Sequence, residues 1–419
     1  MPDRSQPPIS GELKKIDLPT SDTSKVDGIP NLQYRKKEHN IVFLECLFES
    51  GRIAETIPGI SWYAAKMLME GTLRSSASQL ADKIESLGSY IEISAGIDFV
   101  SVKLYSLTKN LDPSLEILRE ILTEPSFPEK EFDILKNIRI RNLENILAKN
   151  SQFASLTFSE KLFGAEHPYG RIMLPDHVEK ISLEEANSYY SERLFHRPRI
   201  IVGGNFSDEW INTVSKLLNK IKIKPYNLPD YSFSPEQENS FDIRRDHSTQ
   251  ASIRIGNKTV PKDDPIIHDL SIANVLLGGF FGSRLMKSVR EEKGLSYGIY
   301  SSINHQEYAS YRVIMAEIQS KKKSEALEAI YTEIKKLAEN PPSDRELKTL
   351  KNYLFGKMQS SMDSMFSILS LQKELFIHNL DEKYLDAYQN RLKSISGKEI
   401  SEIIADNYLS QEDLTVIVS

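Results

Sequence analysis

Cysteine is nearly absent from this 419-residue chain, occurring once, at Cys46. One sulfur cannot anchor a thiolate metal site. Its setting in an alternating apolar stretch favours core packing over a reactive thiol. Long hydrophobic runs are missing as well. Stretches such as IVFL at Ile41–Leu44 fall far short of the roughly 20 apolar residues that span a bilayer. The opening residues, MPDRSQPPISGELKK, hold no apolar h-region and do not read as a secretory signal. Neither charge is concentrated: the net charge is −6 with Lys and Arg dispersed, which leaves no electrostatic case for nucleic acid or an anionic membrane. No two of the eight histidines (His39, His167, His177, His196, His247, His268, His305, His378) lie three to five residues apart, so no helical His pair is available to a metal. What remains is an ordinary globular composition, 27% charged and 40% apolar, long enough for two or three domains. The expectation is a soluble, cytoplasmic protein.

The most informative positive feature is an internal repeat. SQLADKIESLGSYIEIS from Ser78 returns as SRLMKSVREEKGLSYGIYS from Ser283, a shift of 205 residues. PSFPEKEFDILKN, ending at Asn137, returns as PPSDRELKTLKN, ending at Asn352, a shift of 215. ISLEEANSYYSERL from Ile181 and ISGKEISEIIADNYL from Ile395 are 214 apart, each with a Ser-x-x-Glu capping box (Ser182/Glu185 and Ser396/Glu399). A β-rich run follows each, RIIVGG at Arg199–Gly204 and LTVIVS at Leu414–Ser419. Shared cap vocabulary alone would not keep that spacing.

Within the first unit, Ile41–Phe48 alternates as a strand with Val42, Leu44, Cys46 and Phe48 on one face. Helices are expected from about residue 60 to 70, over 78–87 up to Gly88, over 113–123 with Leu115, Leu118 and Leu122 inward, and over 128–149. Residues 90–94 and 99–107 read as paired strands, with Val100, Val102 and Leu104 on one face. The pattern implies an α+β fold of two homologous units. The boundary is the stretch from Lys220 to Ser240, whose prolines Pro225, Pro229 and Pro235 suit a linker. The expected lobes are residues 1–221 and 241–419, joined by 222–240.

LLGGFFGSRLMKSVREEKGLSYGIYSSI, at Leu276–Ile303, resembles the C-terminal-lobe signature of the pitrilysin/insulinase-like zinc-peptidase family, of the mitochondrial processing peptidase type. HPYG at His167–Gly170 and the GT-x-x-x-S segment at Gly71–Ser76 resemble that family's N-terminal lobe, and the order holds from about residue 30 to the end. The resemblance implies two lobes, each a mostly antiparallel sheet with helices packed on one side, closing as a clamshell on unfolded peptide. It also implies zinc on an inverted H-x-x-E-H helix of one lobe, and an Arg and a Tyr seven residues apart that hold substrate beside it.

Counting back from the Gly-Thr pair puts Trp62, Tyr63, Ala64, Ala65 and Lys66 where H-x-x-E-H belongs. Neither His is there, Ala65 replaces the water-activating Glu, and Lys66 places a cation where a cation should bind. The downstream Glu should fall near Arg141 or Asn142. Glu144 is close, but two residues along a helix turn it about 200° away. The second lobe keeps its pair, Arg290 and Tyr297 in VREEKGLSY, with Gly294 as a left-handed helix exit. The plainer reading of that pair is a surface cluster with Glu291 and Glu292 and a strand aromatic. Gly278, Gly279 and Gly282 read as a tight helix-to-helix connection, not a phosphate loop. The resulting expectation is a chain inactive on its own, with no metal or other cofactor. It would bind unfolded peptide and supply Arg290 and Tyr297 to a homologous zinc-bearing subunit, as a heterodimer or a homodimer. Two rivals stand beside it: an active metallopeptidase with unconventional ligands, and a peptide-binding scaffold without a peptidase partner.

Overall fold

Strand β1 (Asp22–Val26) and strands β2 (Ile29–Arg35), β3 (Ile41–Phe48), β4 (Tyr90–Ala95), β5 (Val100–Leu107) and β6 (Arg199–Gly204) form one sheet, in the order β1-β2-β6-β3-β5-β4. A second sheet is built of β7 (Ser240–Ile243), β8 (Gln250–Thr259), β9 (Ser296–His305), β10 (Ser310–Gln319) and β11 (Leu414–Val418), in the order β7-β11-β8-β10-β9. This is a computed structural model; it describes residues 15–17, 19–221, 223, 226–228, 238–245, 249–409 and 412–419. Setting β1 aside, the two orders are the same. Each sheet has one parallel pair (β2 with β6, β7 with β11) and is otherwise antiparallel. The sequence repeat is therefore a repeat of topology. Pro225, Pro229 and Pro235 lie outside the described residues, but Tyr226 between them stacks on His196, ring centroids 3.9 Å apart.

The helices of the first half are α1 (Ile60–Met67), α2 (Ala77–Ser86), α3 (Leu111–Thr123), α4 (Glu129–Ala148), α5 (Asn150–Phe163), α6 (Pro175–Glu179), α7 (Leu183–Glu192) and α8 (Asp208–Lys220). Those of the second are α9 (Ile267–Asn274), α10 (Lys323–Glu339), α11 (Asp344–Ser360), α12 (Met365–Ile377), α13 (Glu382–Ser394) and α14 (Gly397–Ile404). Both expected capping boxes form, at Ser182/Glu185 and Ser396/Glu399, where the hydroxyl accepts from the third backbone N–H. Period-2 alternation sends Val42, Leu44, Cys46 and Phe48 with Val100, Val102 and Leu104 into one core beneath α1, α3, α7 and α8. Cys46 is buried there, and burial lifts its thiol to about 12, so it stays protonated.

The opposite face of each sheet is covered by a helix from the other half. On α12, Met365, Ile368 and Leu369 pack on Leu32, Tyr34, Phe43, Leu47 and Ile201 of the first sheet. On α5, Ala154, Phe158 and Leu162 pack with Val313, Val416 and Val418 of the second. The two helices begin 215 residues apart, at Asn150 and Met365, the shift found in the sequence. Gly203 permits the first contact, since a Cβ there would lie 2.2 Å from Leu369 Cδ1. This exchange is not legible in periodicity, because a helix pattern does not say whose sheet it covers.

Polar contacts close the same seam. The Glu49 carboxylate accepts from Tyr308 Oη and from Arg197 (3.1 Å), and Asp98 accepts from Tyr169 Oη (2.6 Å) and the Glu307 N–H (3.1 Å). A buried histidine, His167, and a half-buried one, His305, lie nearby. Burial, aided for His167 by Lys258 and Arg171 and for His305 by Lys262 and His378, lowers each from 6.5 to about 4. Between those values the unfolded chain binds protons that the native chain refuses. Stability should therefore be complete above about 6.5 and fall with pH towards 4. Thermal melts across that window should show the decline, and a flat melting temperature would contradict it.

Candidate functional site

Gly59, whose φ of +87° suits a residue without a Cβ, is the N-cap of helix α1. The buried Glu55 carboxylate accepts from the Gly59 N–H (2.9 Å), the Ser61 N–H (3.3 Å) and Ser61 Oγ (2.6 Å), fixing that first turn. Burial raises the Glu55 carboxyl above its ordinary range, while these hydrogen bonds oppose the rise. On the helix, Ala65 is wholly buried with Tyr63 and Ala64, and Trp62 and Lys66 are half-buried one turn apart. Trp62 meets Tyr63 edge-on, with centroids 4.9 Å apart, and the Arg139 guanidinium lies 5.0 Å from the Trp62 ring centre. Arg141, Asn142 and Glu144 are exposed. Two α4 side chains reach α1: Phe132, whose ring centre lies 5.4 Å from that of Tyr63, and Arg139, two residues before Arg141 and so about 200° around the helix from it.

These residues do not fit zinc. No imidazole or thiolate faces the position, its one carboxylate (Glu55) is committed to Gly59 and Ser61, and a guanidinium occupies the α4 side. Among the described residues no group of three or more His, Cys, Asp or Glu side chains is placed to hold a metal. Restoring the motif by Trp62→His, Ala65→Glu and Lys66→His is therefore expected not to create a zinc peptidase. The third ligand is still missing, Arg139 repels the ion, and the new Glu sits where Ala65 is fully buried. Zinc content and chelator-sensitive peptide cleavage of the triple variant check this, and robust activity would mean the third ligand had been misplaced.

Arg290 lies in the last turn of a π-helical segment, Met286–Glu292, and Val289 C=O accepts from the N–H of Leu295 just beyond it (2.9 Å). Gly294 then takes φ +59°, the left-handed exit expected there, and the chain enters β9, an edge strand of its sheet. The Arg290 guanidinium makes no ion pair with Glu291 or Glu292. It rests 5.7 Å from the Phe281 ring and 3.7 Å from Met286 Sδ. Tyr297 is 61% exposed, and its hydroxyl meets no partner among the described residues. The surface-cluster reading thus loses its ion pairs. Gly278 is a helix–strand contact, since a Cβ there would lie 2.7 Å from the Ser301 N.

The other motifs are architectural. Thr72 Oγ1 accepts from the Ser75 N–H (3.0 Å) and donates to Glu120, and Ser76 caps α2. In HPYG, His167 Nδ1 accepts from the Tyr169 N–H (3.0 Å), and Tyr169 Oη joins the two halves through Asp98 and the Tyr308 N–H.

Two lobes of one sheet order, each lending a helix to the other, define a two-lobed α+β protein. Residues 36–174 match the model of "Insulinase (Peptidase family M16)" and residues 180–354 that of "Peptidase M16 inactive domain". The chain belongs to the M16 insulinase family. It is 25% identical over 360 residues to "Non-peptidase homolog YmxG" of Helicobacter pylori, covering 83% of this chain and 81% of that one. It is 23% identical over 368 residues to "Uncharacterized zinc protease YmxG" of Bacillus subtilis, covering 86% and 88%. Its fold is similar to the crystal structure of a peptidase M16 inactive domain from Pseudomonas fluorescens, with TM-score 0.84, 24% identity, and 95% and 97% of the two chains covered. Among the described residues no helix is long and apolar enough to cross a membrane.

Proposed function

We propose that this chain is a non-catalytic M16 protein that binds extended peptide and lends Arg290 and Tyr297 to a homologous, zinc-bearing subunit. The observation carrying the reading is a contrast within one chain. The position that the family resemblance gives to the metal carries Trp62, Ala65 and Lys66 with Arg139 beside them, whereas among the described residues Arg290 and Tyr297 have no hydrogen-bonding partner apart from a thioether. A guanidinium fork and a phenol hydroxyl suit a peptide carbonyl or a developing oxyanion. The open edge of β9 offers backbone groups to an extended segment by β-augmentation. The non-peptidase name of the H. pylori relative agrees with the absence of ligands. Zinc belongs, in this reading, to the partner alone.

The test mixes the purified chain with a homologous chain carrying an intact H-x-x-E-H. Formation of a stable complex that cleaves unfolded peptide faster than either chain alone is the expected result. Absence of both association and stimulation would favour the scaffold reading.

A further inference from the structure

A pocket of about 230 Å³ opens where the family's metal helix meets the end of β4. Its charged lining is three arginines and one glutamate: Arg52 from the turn after β3, Arg139 from α4, Arg171 from the segment following HPYG, and Glu55. No carboxylate lies within ion-pair distance of any of the three guanidinium groups among the described residues, and Glu55 is already occupied by Gly59 and Ser61. Arg52 donates only to the Pro168 carbonyl, at 3.3 Å. Arg139 spends one face on Trp62. Arg171 holds its Nε buried with no hydrogen-bond partner. A buried N–H left unmade, on a charged group, is costly and asks for an acceptor. The charges also act on one another: burial disfavours the Arg52 cation most, Glu55 offsets part of that, and Arg171 and Arg139 add to the cost. A small cavity with three cationic side chains to one carboxylate and apolar walls, here Trp62, Met173 and Ile97, concentrates negative charge.

We propose that this pocket binds an oxyanion, a carboxylate or phosphate group that takes N–H forks from Arg139 and Arg171 against the face of Trp62. The position that holds a cation elsewhere in the family would then hold an anion here. Two sources could supply it: a free small anion, or an acidic residue of an extended peptide. The second is sterically natural, because Ala95, Gly96 and Ile97 on the rim continue β4, an edge strand whose outer side pairs with no strand among the described residues. The inference does not require a peptidase partner and uses neither Arg290 nor Tyr297.

Trp62 reports the pocket directly, because the only other tryptophan, Trp210, lies buried on α8. The full chain, with and without Trp210→Phe, would be titrated at constant ionic strength with inorganic phosphate. A parallel titration would use an unstructured acidic peptide and its amidated counterpart with Gln for each Glu. A saturable change in Trp62 emission and a matching rise in melting temperature are expected, with Arg139→Gln and Arg171→Gln each weakening binding about tenfold or more. Response to phosphate alone assigns a free-anion pocket; response to the acidic peptide alone assigns a peptide carboxylate; both uphold the pocket. If a Gln variant fails to fold, Arg171→Lys keeps the charge and loses the fork, and intermediate affinity is expected. No saturable response to either probe, or a response undiminished in all the arginine variants, would overturn the proposal.

Discussion

Arg290→Ala and Tyr297→Phe are each expected to lower the turnover of a zinc-bearing partner by about 10²–10³, the effect of removing one oxyanion-hole donor. If these donors meet charge that develops only in the transition state, kcat falls more than KM rises. The same changes should barely alter folding. Tyr297 is 61% exposed at the start of an edge strand, and the Arg290 guanidinium is held by no ion pair among the described residues, resting on the Phe281 ring and a methionine sulfur. Kinetics, melting temperature and complex formation measured together separate the two effects. Full activity in an intact complex would reduce the pair to a family relic.

Asp413→Ala should be the most damaging single change to stability, by about 3–5 kcal/mol. Arg312 and Asp413 form a two-pronged pair (2.9 and 2.6 Å) with both side chains 2% exposed, and the guanidinium lies 4.3 Å from the Tyr408 ring centre. Burial disfavours the Asp413 carboxylate more than the arginine recovers, so its pKa rises. Removing the acid strands a buried cation. Replacing both partners, Arg312→Met with Asp413→Leu, is expected to recover most of the loss, because the pair's desolvation cost disappears with it. Denaturant melts of the two variants check this, and equal losses in both would show that the pair's net attraction exceeds that cost.

Local signals read true within single elements. Period 2 in Ile41–Phe48 and Val100–Leu107, the Ser-x-x-Glu boxes and the glycine exits at Gly88 and Gly294 each follow from backbone chemistry within a few residues. The repeat spacing carried this further, to two sheets of one order. What stayed hidden depends on contacts between distant segments. The α5 and α12 exchange and the Tyr169–Asp98–Glu307 junction join residues more than 70 positions apart. Arg52, Arg139 and Arg171 come from three segments, and a lone arginine in each looks like ordinary solvated charge. Arg139 was missed for a narrower reason. The expected third-ligand position, Arg141 or Asn142, lies two or three residues beyond Arg139, and spacing alone does not say which of these side chains turns towards α1.

The central claim is that this M16 chain does no metal chemistry of its own. Its most direct test is zinc by atomic emission on the purified full-length chain, with cleavage of an unfolded peptide followed in the same preparation, with and without chelator. The account expects no stoichiometric zinc and no cleavage above background. One zinc per chain accompanied by chelator-sensitive proteolysis would contradict it and make this protein a peptidase with unconventional ligands.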